Sequence, residues 1–276
     1  MNLPSSNNEK ATCNCKRYKR DGGNDSLSTS LDSTTILFLY LYDYKISVLQ
    51  FEAIKNKIQE YKKDGKKIFT TSSFQTHSLV LLHMISRIDP AIPVYFTNTG
   101  YHFPETLAFK DMVTKQFGLN TIELRSQVPK SMQKGSDGKL LFTSDPDYCC
   151  YLNKIQPLDQ VLMQHDIWIN GVRADQSAVR KAMKTEQAAP HNVTRFHPML
   201  DWTAKEIYQY IREYQLPKHP LESKGYFSIG CEPCTRRMDP EMQEREARWY
   251  GMNKSECGLH TDLIYKADEK EKSEGK

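Results

Sequence analysis

"KKIFTTSSFQTHSLVLLHMISRI", Lys66 to Ile88, is the stretch whose reading decides the fold. Lys66–Ser73 reads as a short strand that runs into small polar residues. Thr76–Ile88 reads as a helix, with apolar side chains at helical spacing. A strand feeding directly into a helix is the opening of a βα unit, and the rest of the chain repeats the pattern.

Upstream, Leu49, Phe51, Ile54, Ile58 and Tyr61 have helical spacing, and Gly65 stops that helix. Downstream, "PVYFTNTG" (93–100) is a second strand. "PETLAFKDMVTKQFG" (104–118) is a helix with Pro at its start and Gly at its end. "NTIELRS" (120–126) is a third strand. A polar loop (127–147) precedes a helix around "CCYLNKIQPLDQVLMQ" (149–164). Then come strand "DIWINGVRA" (166–174), helix "SAVRKAMKTEQ" (177–187), strand "TRFHPML" (194–200) and helix "TAKEIYQYIREYQ" (203–215). Strand and helix alternating at this interval predict an α/β fold: a parallel twisted sheet with helices on both faces. No internal repeat is present.

The flanks differ. Residues 1–33 are polar, Ser/Asn-rich and Gly-containing, the composition of a disordered arm; they carry Cys13 and Cys15, read as incidental thiols. Residues 34–242 are expected to form the α/β domain, and 243–276 a C-terminal segment ending in the polar tail "DEKEKSEGK". With 276 residues, 38% hydrophobic, the chain is long enough for a sizeable core. Its net charge of +4 is too mild to argue for nucleic acid, yet suits an acidic small molecule held in a local basic pocket. No run of about eighteen apolar residues exists, so no membrane span is expected. The first residues hold no apolar stretch of signal-peptide type. Seven cysteines, an odd number in a chain of this size, argue against a secreted disulfide framework and for a cytoplasmic protein whose thiols serve metal or chemistry.

In an open α/β sheet, ligands bind outside the carboxyl ends of the strands. The first such end offers Ser72, Ser73, Phe74 and Gln75 before a helix, a cradle for an anion, or else an ordinary turn with hydroxyl caps. The fourth brings Arg173 and Arg180 in "GVRADQSAVR", suited to phosphate or sulfate. "EREARWYG" spaces Arg245 and Arg248 three apart, on one helical face. Cys149 and Cys150 are adjacent in "DYCCYLNK"; a disulfide between neighbours is strained, and a bare Cys-Cys step fits one zinc ion poorly. "GCEPCTRR" adds Cys231 and Cys234, a pair that alone means zinc, redox chemistry or nothing. Together the four are the ligand set of a [4Fe-4S] cluster, in which adjacent thiolates can serve different irons; structural zinc is the alternative. Cys257, in "KSECGLHTD", stands beside Gly258 and His260, a setting for a reactive thiolate or for a packed thiol.

"DYCCYLNK", "GVRADQSAVR", "GCEPCTRR", "EREARW" and "ECGLH", in this order, resemble the iron–sulfur adenylylsulfate (APS) reductases of assimilatory sulfate reduction, thioredoxin-dependent members of the phosphoadenylylsulfate reductase family. "HPMLDWTAKEIYQYI" resembles the family as well, and the likeness extends over roughly residues 48–262. It implies an adenine nucleotide α-hydrolase-like sheet with a mobile C-terminal segment carrying the nucleophile. It implies that Cys149, Cys150, Cys231 and Cys234 hold a [4Fe-4S] cluster and that Cys257 forms an S-sulfocysteine. Lys154 matches a lysine between cluster and substrate. Arg173, Arg180, Arg245, Arg248 and His260 match substrate-contacting positions, as Ser72, Ser73 and Phe74 match the nucleotide loop. Many members continue that loop with Gly-Ala-Glu-Asp, where this chain has Gln75, Thr76, His77 and Ser78. The implied partners are adenylylsulfate and thioredoxin or a glutaredoxin-like reductant, with neither nucleic acid nor membrane; a homo-oligomer is left open. The implied role is sulfite production for cysteine biosynthesis. The alternatives are a phosphoadenylylsulfate (PAPS) or dual-substrate reductase and, in a different class, a zinc-stabilised nucleotide-binding module.

Overall fold

A computed structural model describes residues 33–242, 245–252, 254 and 256–260. The chain divides into two compact units, residues 1–43 and 44–276. The expected arm, with Cys13 and Cys15, and the polar tail lie outside the described residues. Of the first unit, the described part is the opening of helix α1, Ser33–Lys63.

That helix begins well before Leu49, where the apolar periodicity begins. No Gly or Pro interrupts the chain from Ser33 to Lys63, so Asp43 and Lys45 break its apolarity without breaking the helix. Its later part buries Ile54, Ile58 and Tyr61. Among the described residues, no helix is long and apolar enough to cross a membrane.

The remaining elements follow the expected alternation: β1 (Ile68–Thr71), α2 (Leu79–Ile88), β2 (Val94–Thr97), α3 (Pro104–Phe117), β3 (Thr121–Leu124), short α4 (Leu141–Ser144) and α5 (Pro146–Cys150), α6 (Gln156–Leu162), β4 (Ile167–Ile169), one-turn α7 (Ala178–Lys181), β5 (Glu186–Ala188), β6 (Thr194–Phe196) and α8 (Ala204–Glu213). The strands form one sheet in the order β3-β2-β1-β4-β6-β5. All pairings are parallel except β5 with β6. Central strands buried on both faces are near-continuously apolar, as Ile-Phe in β1 and Ile-Trp-Ile in β4 are.

Two expectations need correction. The helix expected over 177–187 is one turn long, and Glu186–Ala188 pairs antiparallel at the sheet edge instead. Tertiary hydrogen bonds override the local helical pattern: the carbonyls of Thr185 and Lys184 bond His197, through its N–H and Nδ1. The return to β6 turns through His191 and Asn192, both at φ 60. The loop expected over 127–147 contains α4 and the start of α5.

Capping sets several boundaries. α3 starts at Pro104 and ends at Gly118, whose φ of 62 is the left-handed C-terminal stop. α8 opens with a capping box, Thr203 and Glu206 bonding each other's backbone N–H.

Chain order reverses between β1 and β4, and this switch point lies where β1 ends in Thr71-Ser72-Ser73. The turn after it is fixed by Phe74. Its backbone adopts φ 53, its N–H bonds Ser72 Oγ at 3.1 Å, and its ring is fully buried edge-on to Phe96 at 5.8 Å. Core burial thus holds a residue in a conformation that costs roughly 1–3 kcal/mol.

Phe74→Ala should therefore lower unfolding stability by about 3–5 kcal/mol, the usual cost of removing a buried aromatic ring. A shift of the urea midpoint at unchanged slope would measure it; a near-neutral result would mean the ring is not what holds the turn.

Candidate active site

The switch point opens into a crevice enclosing about 1270 Å³, its mouth included. Of the residues singled out from the sequence, Ser72, Ser73, Lys154, Arg180, Arg245, Arg248 and Cys257 line it. Phe74 and Arg173 do not. Phe74 is in the core. Arg173 is buried against Asp175, its Nε donating to Oδ1 at 2.9 Å, and thus orders the turn before α7. The backbone of His260 falls in a single helical turn, Gly258–His260; its side chain is outside the described part. Residues 261–276, in the segment expected to be mobile, are likewise outside.

The β1 loop is a hydrogen-bonded frame. Ser73 Oγ meets Ser78 Oγ at 3.3 Å and accepts from Gln75 Nε2 at 3.2 Å. Gln75 Oε1 in turn accepts the N–H of Ile229, tying the loop to the segment that leads into Cys231. No side chain caps α2, because the helix continues the single turn Thr76–Ser78: the Ser78 N–H bonds the Gln75 carbonyl and the Leu79 N–H the Thr76 carbonyl.

Cys149 and Cys150 end α5, and the next turn, Tyr151–Ile155, is π-helical. The cause is local. Pro157 has no N–H to offer the carbonyl four residues back, and the chain widens so that the Gln156 N–H reaches the Tyr151 carbonyl. This turn carries Asn153 and Lys154 inward, both buried. Asn153 exchanges hydrogen bonds with Gln133 and donates to the Cys149 carbonyl at 2.9 Å.

Cys231 and Cys234 come from the far side. The Cys231 backbone bridges that of His102, and the Glu232 N–H bonds the Tyr101 carbonyl at 2.7 Å. All four thiols are free, buried and exposed to one small pocket walled by Tyr101, Lys154 and Trp249. Burial, then the neighbouring thiols, pushes Cys149 up to about 12; burial and Cys231 push Cys234 up to about 11. Ionised together, such thiols need positive charge among them, which is what a metal centre brings. Among the described residues, no set of three or more His, Cys, Asp or Glu is disposed around a single ion. The thiols line a cavity rather than converge on a point.

Lys154 and Trp249 border both the thiol pocket and the crevice. Burial opposes the charge of Lys154, but the facing sulfurs of Cys231, Cys257 and Cys150 outweigh it and raise its pKa. Arg248 lies over the Trp249 ring at 4.5 Å, beneath Gly230. A Cβ at Gly230 would collide with that guanidinium and shift it, so glycine permits this close approach. Burial, then Arg180, pulls Arg245 down to about 10, leaving it protonated at neutral pH.

Sequence reasoning missed three residues here. Glu256 bonds Arg180 and Arg245. Trp249, at φ 53, makes the turn between arginines and thiols, its N–H bonded to the Cys234 carbonyl at 3.0 Å. Gly230 had a signal, a glycine directly before Cys-x-x-Cys; a lone acid beside a cysteine gave none for Glu256.

Comparison with known proteins gives the chain's family. The model of the phosphoadenosine phosphosulfate reductase domain matches residues 67–237, a span that holds all four pocket thiols and Lys154 but ends before Arg245 and Cys257. The adenosine 5'-phosphosulfate reductase of Bacillus cytotoxicus is 38% identical over 202 residues, 72% of this chain and 86% of that protein. The phosphoadenosine 5'-phosphosulfate reductase of Gloeobacter violaceus is 36% identical over 200 residues, 71% of this chain and 83% of that one. A phosphoadenylyl-sulfate (PAPS) reductase from Candida auris, solved as a phosphate complex, shares the fold with a TM-score of 0.57 at 22% identity, over 74% of this chain and 98% of that one. The chain belongs to the phosphoadenosine phosphosulfate reductase domain family.

Proposed function

We propose that this protein is a cytoplasmic, thioredoxin-dependent reductase that converts adenylylsulfate to sulfite and AMP in sulfate assimilation. The observation that carries this reading is the convergence of Cys257 with Lys154, Arg180, Arg245 and Arg248 on one crevice at the sheet's switch point, beside a pocket of four thiols. Relatives named for adenylylsulfate support the substrate. The adenosine lies against the Ser72–Gln75 loop, and the phosphosulfate points toward the cations.

The Cys257 thiolate attacks the sulfur of the sulfuryl group. A carbon-bound sulfur thereby gains a new S–S bond, the S–O bond to phosphate breaks, and AMP departs with its electron pair. The residue becomes an S-sulfocysteine. A thioredoxin thiolate then attacks Cys257 Sγ, sulfite leaves with the S–S electron pair, and a mixed disulfide remains for thioredoxin's second thiol to resolve. The net two electrons come from thioredoxin. Lys154 and the arginines offset the repulsion between thiolate and anionic substrate, an effect that strengthens away from bulk water. Cys149, Cys150, Cys231 and Cys234 would hold a [4Fe-4S] cluster, whose chemistry here is a fixed charge beside the crevice rather than electron carriage.

Three outcomes test the reading. Sulfite release, measured side by side from adenylylsulfate and its 3′-phosphorylated form with thioredoxin as donor, should favour adenylylsulfate; the reverse preference would move the protein to the PAPS reductases. Without thioredoxin, substrate should leave one sulfite-sized mass adduct on the Cys257 peptide, and Cys257→Ser should abolish both adduct and turnover while retaining binding. An adduct elsewhere would overturn the nucleophile.

Replacing any one of Cys149, Cys150, Cys231 or Cys234 by Ser should cost most of the iron and acid-labile sulfide of anaerobically purified protein. A variant with a full complement would remove that thiol from the ligand set.

Arg248→Ala should weaken adenylylsulfate binding by about 1–3 kcal/mol, the scale of a lost charge-assisted hydrogen bond. Gly230→Ala should weaken it too, because the added methyl group displaces the Arg248 guanidinium. Calorimetry showing Gly230→Ala at wild-type affinity would mean that the guanidinium's position does not matter.

A further inference from the structure

One buried carboxylate, held by the crevice-lining Arg180 and Arg245, has no role in the chemistry above. Glu256 is 5% exposed and sits directly before Cys257. Its Oε2 accepts from Arg180 Nε and from Ser177 Oγ, both at 3.1 Å. Its Oε1 accepts from Arg180 Nη2 at 3.1 Å, Arg245 Nη2 at 2.6 Å and the backbone N–H of Cys257 at 3.0 Å.

The arrangement has two consequences. Arg180 belongs to α7, whereas Arg245 and Glu256 both belong to the C-terminal segment, so one carboxylate fastens that segment to a helix seventy-six positions before it. The bond from the Cys257 N–H to the preceding side chain also fixes the peptide that carries the nucleophile. Since consecutive Cα atoms are only about 3.8 Å apart, anchoring Glu256 confines Cys257 to a small volume. The fork of Arg180, meeting both oxygens, gives that anchor a defined orientation.

The cations are divided by the same contact. Arg180 and Arg245 hold Glu256. Among the described residues, no carboxylate pairs with Lys154 or Arg248, both buried in the crevice wall. Burial opposes the charge of Glu256, but Arg180 and Arg245 outweigh it and keep it ionised.

We infer that Glu256 is the positioning residue of this reaction: bridged by Arg180 and Arg245, it docks the segment bearing Cys257 and aims the sulfur, leaving Lys154 and Arg248 to receive the substrate's anionic groups. The inference rests on the proposed reduction of adenylylsulfate through Cys257.

The test compares wild-type holoenzyme with Glu256→Gln and Glu256→Asp. Single-turnover formation of the Cys257 adduct is followed by mass spectrometry, and adenylylsulfate affinity by calorimetry. Glu256→Gln keeps the shape and loses the charge; adduct formation should slow at least about tenfold, while affinity is unchanged or tighter because Arg180 and Arg245 are freed for the anion. Glu256→Asp keeps the charge, and with it the fold, but its shorter arm cannot span all its partners. It should show the same split at about threefold or more. Iron content and melting temperature identify a variant that has not folded, in which case Glu256→Asp alone decides. Adduct formation at the wild-type rate, or a loss of rate matched by an equal loss of affinity, would overturn the inference. No adduct on the wild type would sink the underlying reaction, and the inference with it; equal adduct on wild type and variants sinks the inference alone.

Discussion

A thiolate and a sulfated phosphate are both anions, and they meet only where positive charge is already concentrated. Two like unit charges 4 Å apart repel by about 4 kcal/mol at the effective dielectric of a partly buried site. The crevice answers with Lys154, Arg180, Arg245 and Arg248, most of them buried. Such a group is itself unstable without counter-charge. Glu256 supplies it to Arg180 and Arg245. The local structure follows from that need: the widened turn that brings Lys154 inward, the glycine that admits Arg248, and the loop at Phe74 that sets Ser72 and Ser73 in the crevice wall.

Fold class was legible because the sheet imposes its own pattern. Strands buried on both faces must be short apolar runs, and the helices that cross between them must carry an apolar stripe; β1, α2, β2 and α3 satisfy both conditions in the sequence itself. The failures lie where a tertiary contact decides. Glu186–Ala188 is a strand because β6 offers an edge and His197 binds the approach, and neither fact is local. The early start of α1 was obscured by Asp43 and Lys45, which spoil an apolar pattern but leave helix propensity intact.

The candidate site divides along the same line. Cysteines and arginines announce themselves by type and spacing, and most of those singled out reach one crevice. Arg173 does not, although its sequence setting is as suggestive as that of Arg180. The difference is the partner: Asp175, two residues on, takes the Arg173 guanidinium, whereas Arg180 extends to Glu256, seventy-six positions away. Sequence shows which residues carry charge; the nearest counter-charge determines where the charge is used.

The adjacent cysteines acquire a geometric meaning in this setting. Successive residues on a helix point about 100° apart, so Cys149 and Cys150 together span a broad face, and the residues one turn later, Asn153 and Lys154, stand over them. Asn153 closes back on Cys149, fixing the end of α5 from behind. Lys154, above Cys150, reaches past the thiol pocket into the crevice that holds Cys257. Moving Cys149 one position back, or Cys150 one position on, would put its thiol where the exposed Tyr148 or Tyr151 now stands. The Cys-Cys-x-x-x-Lys spacing thus makes one turn of helix the common wall of the thiol pocket and the crevice, so that a charge placed among the thiols would be felt at Cys257 without contact.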